Sequence, residues 1–323
     1  MTPRSEGAAP SWQVWLALWI VYIVWGSTYL AIRVAVETMP PLITGGFRFL
    51  VAAAFLLGWL AIRKGPGSLW IDRRQLLAST AVGTALLFGG NGMVMIAELE
   101  VSSSLAALLI ASVSLWVIVY RRLAGERISG LTLTGVIIGF VGVGVLVLPG
   151  SSGGESHLFG TILLLLAASS WALGSFMSRR VPLPRDPWVS TGYQMLTGGV
   201  VLGLSGIVRG ELSDVDISSF SGASIAAVIY LIVAGSLLAF TAYVWLLQNA
   251  PISKVATYAY VNPVIAIILG ALILDESITA TMFVGAAAIV GSVALVVATE
   301  SRIERASAHP VGAATTEPAL DSP

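Results

Sequence analysis

The residues able to do chemistry in this chain are polar groups set inside apolar runs. Arg48 lies in FRFLVAAAFLLG, Asn91 in LLFGGNGMV, Ser112 in LLIASVSLW, and Tyr258, Tyr260 and Asn262 in VATYAYVNPVIAIILG. Around them stand Trp25, Ser27, Thr28 and Tyr29, then Trp171 and Ser175, then Thr241, Tyr243 and Trp245. Together these groups can hydrogen-bond, stack and present one positive charge, which suits reversible binding of a small molecule. A bond-making set is missing. Cysteine is absent, so disulfides, thiolate metal sites and thiol nucleophiles are excluded. His157 and His309 are the two histidines, both in polar segments. No Asp or Glu lies deep in an apolar run, so acid–base pairs, metal sets and intramembrane proton relays lack their usual residues. No cofactor and no metal is expected, and the formal net charge of zero offers no field for nucleic acid.

Two positions carry sharper expectations. Arg48 sits about seven residues into its run, roughly 10 Å from the nearer end at 1.5 Å per residue. A charge there costs at least ~2.5 kcal/mol on insertion scales. It must therefore pair with an acid, Glu37 or Glu98, or face a cavity and meet a carboxylate-bearing solute. Pro263 removes a backbone donor and frees the carbonyl of Ala259, so a hinge is expected at Asn262 and Pro263. The candidate lining of a substrate path is Trp25, Ser27, Tyr29, Arg48, Asn91, Ser112, Trp171, Ser175, Tyr243, Tyr258 and Asn262. Competing explanations are plain: Trp116 and Trp245 also suit interfacial belts, and the serines suit helix packing.

The elements that must position these groups are membrane helices. Hydrophobic residues make up 56% of the chain and charged ones 11%, and the mean hydropathy is +0.89; soluble domains carry about 25% charge. Apolar runs of roughly 20 residues, the length that crosses a ~30 Å core, fall at Trp15–Val36 and near 42–62, 76–97, 102–120, 131–149, 158–178, 188–208, 224–247, 254–274 and 280–298. The expected fold is an all-α integral membrane protein of ten transmembrane helices. The first run is longer than a signal peptide's hydrophobic region and lacks its cleavage site. Lipid is the expected surroundings and a small molecule the expected partner. The GxxxG spacings of Gly135 and Gly139 and of Gly199 and Gly203 predict close helix contact, and the glycine-rich fifth and tenth spans are candidates for scaffold or homodimer contact.

The chain is also duplicated. At a spacing of 150, Ser103 matches Ser253, Ser112 matches Asn262, Val113 matches Pro263 and Glu126 matches Glu276; at 146, Trp25 matches Trp171, Pro41 matches Pro187 and Arg48 matches Gln194. The expected organisation is a first five-helix repeat over 1–150 (spans about 15–149), a second over 151–299 (spans about 158–298), and a disordered cytoplasmic tail over 300–323. Val113 in place of a proline makes a hinge in the fourth span doubtful. Loop charges orient the helices. With the amino terminus inside, fourteen of the 17 Lys and Arg fall in inner segments, while only Arg33 and Arg209 fall outside and Arg48 lies within a span. Such asymmetry predicts both termini in the cytoplasm. An odd number of spans per half then inverts the second repeat, an arrangement found in many secondary transporters.

At this point the chain resembles a known family. WGSTYLAIR in the first span, FRFLVAA in the second, WALGSFMSRR in the sixth, and blocks ending GERIS and DESIT before glycine-bearing final helices are similar to EamA-type members of the drug/metabolite transporter superfamily. The resemblance covers about residues 15–298 and implies a ten-helix inner-membrane carrier, often an exporter of amino acids, other metabolites or toxic compounds. A polytopic membrane enzyme or a non-transporting receptor is the alternative, and the missing nucleophiles, acid–base pairs and metal sets weigh against the enzyme.

The charge asymmetry makes a direct prediction. A topology reporter fused after Arg74 or Arg122 reads as cytoplasmic, and one fused within 153–157 reads as external. An external signal at Arg122 would overturn the ten-span reading.

Overall fold

A computed structural model describes residues 11–147, 156–276 and 278–308, and every regular element among them is helical. Helix α1 spans Ser11–Val36, α2 Pro41–Lys64, α3 Arg73–Ala97, α4 Ser103–Leu123, α5 Gly130–Val147, α6 Ser156–Ser178, α7 Pro187–Val208, α8 Gly222–Asn249, α9 Tyr258–Ile273 and α10 Ala280–Ala308. Seven of these, α1, α2, α3, α4, α6, α8 and α10, contain stretches long and apolar enough to cross a membrane, while Gly130–Leu146 and Val261–Ile273 are apolar but shorter. Helix α7 is long enough, but Gly, Ser, Thr and Gln dilute it. Ile23, Phe55, Leu204, Ile268 and Phe283 are exposed on the outside of the bundle, where lipid is the compatible solvent.

Local chemistry sets the helix ends. Pro41 and Pro187 open α2 and α7, where a missing N–H leaves no bond unmade. Asp72 and Gln75 form a reciprocal capping box at the start of α3. Carboxylates from distant loops cap two other starts. Buried Glu211 accepts from the amides of Leu42 (2.8 Å) and Ile43 (3.0 Å) at α2. Glu276 accepts from the amides of Ser103 (2.8 Å) and Ser104 (3.0 Å) at α4, and from both hydroxyls. Each places negative charge on orphan N–H groups at the positive end of a helix.

The helices pack in corresponding pairs. Helix α2 lies along α7 and α5 along α10; α1 contacts α8 and α9, as α6 contacts α3 and α4. The α2–α7 contact is a backbone contact: a Cβ on Gly46 would stand 2.7 Å from the Cα of Gly203. The α5–α10 contact also uses glycines, with Gly135 against Val296, Gly142 against Ala288 and Gly285 against Leu146. These glycines are therefore occupied within one chain, whereas Gly144 and Gly291 of the same two helices have nothing within 4 Å.

Four helices depart from regular bonding. In α3 over Thr84–Gly92, and in α8 over Leu231–Phe240, the turns widen to π-helix. Helix α4 is interrupted at Ala111 and Ser112, and a short helix, Ile252–Val255, precedes α9 across Ala256 and Thr257. The break expected at Pro263 thus lies earlier. Helical structure runs through Pro263, while Thr257 and Ala259 donate to carbonyls three residues back, at 3.3 and 3.1 Å. The physical reason is that proline crowds the turn before it and distorts its N-terminal side. The fourth span is broken without a proline: Ser112 Oγ donates to the Leu109 carbonyl at 2.6 Å, the kind of local bond that bends helices.

The tail also departs from expectation. Residues 300–308 continue α10, because buried Glu300 accepts from Arg121 (2.5 Å) and Thr132 (2.9 Å) and ties that turn to α4 and α5. Residues 309–323 and the expected link at 148–155 lie outside the described residues.

The backbone approach at Gly46 is testable against Gly58, which has nothing within 4 Å. Gly46→Leu should destabilise the detergent-solubilised protein by about 1–3 kcal/mol of overpacking, seen as a lower Tm or folded yield. Gly58→Leu should leave both near wild type; equal Tm values for the two variants would rule out the close crossing.

Candidate functional site

The widened and interrupted turns converge on one small cavity of about 60 Å³, lined from α1, α2, α3, α4, α6, α8 and α9. Six expected residues line it: Trp25, Tyr29, Arg48, Asn91, Trp171 and Tyr258. Trp25 and Trp171, matched by the internal repeat, meet edge to face with centroids 5.2 Å apart at 87°. Tyr258 stands edge-on to Trp25 at 5.5 Å. Edge-to-face rings place positive edges on negative faces, and such pairs contribute about 0.5–1.5 kcal/mol beyond their buried area.

A second group of expected residues lies behind this lining and holds it. Tyr243 packs against Trp25 at 4.8 Å and against Trp171 at 5.7 Å. Its hydroxyl accepts from Trp171 Nε1 at 3.2 Å and lies 2.6 Å from Ser175 Oγ. Ser175 has a single proton, which goes to the Trp171 carbonyl at 2.7 Å. Tyr243 is therefore the donor to Ser175, and the ring of bonds closes on Trp171. Asn262, with its amide oriented to donate, bonds the carbonyls of Tyr258 (3.2 Å) and Tyr22 (3.1 Å), pinning α9 to α1. Ser27 bonds the Val24 carbonyl at 2.7 Å and Tyr230 at 2.5 Å between α1 and α8, and Ser112 is spent at the break of α4. Neither serine lines the cavity.

The π-helical turns position the rings. The carbonyls of Ala85 and Gly235, 150 residues apart, each receive a side-chain donor from a facing helix. Ser170 Oγ reaches Ala85 at 2.9 Å, and Trp25 Nε1 reaches Gly235 at 3.3 Å. Gly90 is required for the other tryptophan, since a Cβ there would lie 2.5 Å from the Trp171 ring. Gly90, Gly235, Phe49 and Phe240 belong to the lining and were absent from the expected set. Glycine and phenylalanine in an apolar run carry no polar signal, but Gly90 and Phe240 are themselves partners at the 150 spacing.

Arg48 is the charged member, 3% exposed. The expected acids do not reach it. Its Nε donates to Ser236 at 2.8 Å and its Nη1 to Asn91 Oδ1 at 3.4 Å, and the guanidinium carbon lies 4.6 Å from the Phe49 ring centre. Glu37 is exposed. Glu98 is fully buried, and neither of its carboxylate oxygens has a hydrogen bond among the described residues. Geometry explains the miss: Arg33 donates to the Glu98 backbone carbonyl at the end of α3, whereas Arg48 reaches Asn91, about two turns earlier on the same helix.

The two repeat-matched glutamates also differ. Each follows a residue with positive φ, Gly125 at 85° and Asp275 at 51°. That left-handed turn, a helix ending that glycine takes readily and aspartate tolerates, folds the chain back. The Glu276 amide then bonds the Gly270 carbonyl at 3.1 Å, and Gly270 leaves room for Glu276 and Ser104, into which its Cβ would intrude. Glu276 bridges to the start of α4, as described above. Glu126 instead accepts from Arg121 at 2.7 Å and from Arg180. Partial burial opposes its ionisation, but the two guanidiniums outweigh burial and hold its carboxyl below the usual range.

Comparison with known proteins matches this architecture. The model of the EamA-like transporter family matches residues 12–148 and again 158–298. The chain is 38% identical over 281 residues to the "Uncharacterized inner membrane transporter YedA" of Escherichia coli (strain K12), covering 87% of this chain and 89% of that protein. It is 25% identical over 278 residues to an Escherichia coli (strain K12) "Probable amino-acid metabolite efflux pump", covering 83% and 89%. A solved crystal structure at 19% identity covers 92% of this chain and all of its own, with a TM-score of 0.64, and so shares the fold. The chain belongs to the EamA-like transporter family, whose name and relatives describe membrane transport rather than enzymatic catalysis.

Proposed function

We propose that this chain is a secondary carrier of the bacterial inner membrane that exports small metabolites, amino acids or amphipathic aromatic compounds, by alternating access. It crosses the membrane ten times as two inverted five-helix repeats, with both termini cytoplasmic. A two-fold relation of the halves is supported by the packing, in which exchanging them turns the α1 contacts with α8 and α9 into the α6 contacts with α3 and α4, and five helices per half then make the relation an inversion. The orientation is supported by the ends of the bundle. Arg121, Arg180 and Lys64 gather at one end with Glu126, Glu300 and Asp186, whereas Glu211 and Glu276 cap helices at the other.

The observation that carries the reading is a cavity lined by both halves, together with the different ties of the two repeat-matched glutamates: Glu276 is bonded across to the start of α4, while its counterpart Glu126 is engaged by arginines. A cavity of this size is far below the ~300–1,000 Å³ of ordinary ligand sites. Admission of a metabolite therefore requires helices to part, and the bonds of Glu276 to Ser103 and Ser104 are the contact to release. The broken segments before α9, on the N-terminal side of Pro263, and within α4 supply the places that can bend.

Proteoliposome flux and cysteine labelling test this reading. Trp25→Ala or Trp171→Ala should lower flux by roughly tenfold or more, the worth of a ~1.5 kcal/mol ring contact, with folded yield near normal. Unchanged flux in both would place the rings in helix packing alone. Glu276→Gln should raise labelling, from the outer face, of a cysteine placed at Tyr258 in this cysteine-free chain. Pro263→Ala should shift labelling at Tyr258 and Leu269 toward one face. Wild-type labelling patterns in both variants would sink the alternating-access assignment of these elements.

A further inference from the structure

We infer that the cavity binds a small organic acid without an amino group, its carboxylate on Arg48 and Asn91 and its apolar, preferably aromatic body against Trp25 and Trp171. This substrate class rests on the carrier reading above and narrows it.

The starting point is an uncompensated charge. Arg48 is buried, and among the described residues its partners are all neutral: the Ser236 hydroxyl, the Asn91 carbonyl and the face of Phe49. A guanidinium has five N–H donors in a fixed fork, and hydrogen bonds here account for the Nε and Nη1 atoms. Arg48 is part of the cavity wall, so the rest of the fork is available to a bound molecule. Carboxylate is the complementary group, since two parallel N–H···O bonds fit the fork and remove the cost of an isolated charge in low dielectric.

Asn91 reinforces the choice. Its Oδ1 accepts from Arg48, which leaves its amide N–H₂ as a further donor beside the guanidinium. Both polar groups at this corner thus favour an acceptor-only ligand group. Opposite them the lining is aromatic, with the edge-to-face tryptophans and Tyr258. No carboxylate occurs among the described lining residues, so an α-ammonium group would find ring faces and neutral oxygens but no counter-charge, and would sit in the same small cavity as the Arg48 guanidinium. The preference against a zwitterion follows from that lining. Bound acid and Arg48 together are neutral, which is the charge state a moving membrane site tolerates best.

The test measures binding to the full-length protein in nanodiscs by tryptophan fluorescence and calorimetry. Its probes are 3-phenylpropionate, the isosteric 3-phenylpropanamide and phenylalanine. The acid should bind roughly tenfold to a hundredfold tighter than the amide, the range for hydrogen bonds to a charged group, and tighter than phenylalanine. Arg48→Gln should lower the acid's affinity far more than the amide's, so that the two bind within about threefold of each other, the acid preference being the guanidinium's contribution, and Arg48→Lys should retain part of the preference. Equal binding of acid and amide, tighter binding of phenylalanine, binding of none of the three, or an acid preference that survives Arg48→Gln would each overturn the assignment. If Arg48→Gln does not elute as folded protein, the three-probe comparison in the wild type decides alone. Proteoliposome flux separates the two proposals. Acid binding without flux removes the carrier reading and keeps this site; flux of neutral aromatics without acid binding does the reverse.

Discussion

Hydrocarbon offers no hydrogen bonds, so every irregular turn in a membrane bundle must find its partners inside the protein. This constraint explains where polar groups sit in the present fold. The π-helical turns in α3 and α8 take donors from Ser170 and Trp25 at the carbonyls of Ala85 and Gly235. The starts of α2 and α4 take carboxylates from Glu211 and Glu276. Asn262 satisfies carbonyls on both α9 and α1. Each solution ties one half of the chain to another, so the groups that permit irregular backbone also hold the bundle together.

The same constraint builds the cavity. A widened turn needs a donor, and one such donor is the indole of Trp25, whose ring is thereby held against Trp171. Tyr243 and Ser175 fix the other indole from behind. Arg48 then crosses from α2 to Ser236 in α8 and Asn91 in α3. Rings and charge are positioned by second-row hydrogen bonds rather than by contact with one another alone. Preorganisation of this kind lowers the ordering cost of binding.

Duplication supplies symmetry, and single residues break it. Arg48 is matched by Gln194 in the repeat, and among the described lining residues Arg48 is the one charge. Gly125 and Asp275 make the same left-handed turn, yet Glu126 and Glu276 end on different partners. The two ends of the duplicated motif therefore differ, one capping a helix and the other paired with arginines.

The family was legible in the chain because its signals are local and periodic: long apolar runs, a repeat at 146 and 150 residues, and polar types that lipid does not tolerate without a reason. Six of the eleven candidate residues reach the cavity wall for the same reason, that a polar or aromatic side chain deep in a run needs a place inside. The rest depended on three-dimensional neighbours. Ser27, Ser112, Ser175, Tyr243 and Asn262 have the same kinds of side chain, but bonds to nearby carbonyls or to one another turn them into supports. Gly90, Gly235, Phe49 and Phe240 join the wall without any chemical signature. The partners of Arg48 could not be read either, since Glu98 and Asn91 are both on α3 and only the depth of the α2 crossing selects between them. What the sequence determined by itself was the solvent, the duplication and the residue types that must be sheltered. Which of them face the cavity was decided by the tertiary structure, because burial in a membrane bundle is set by helix rotation and crossing depth.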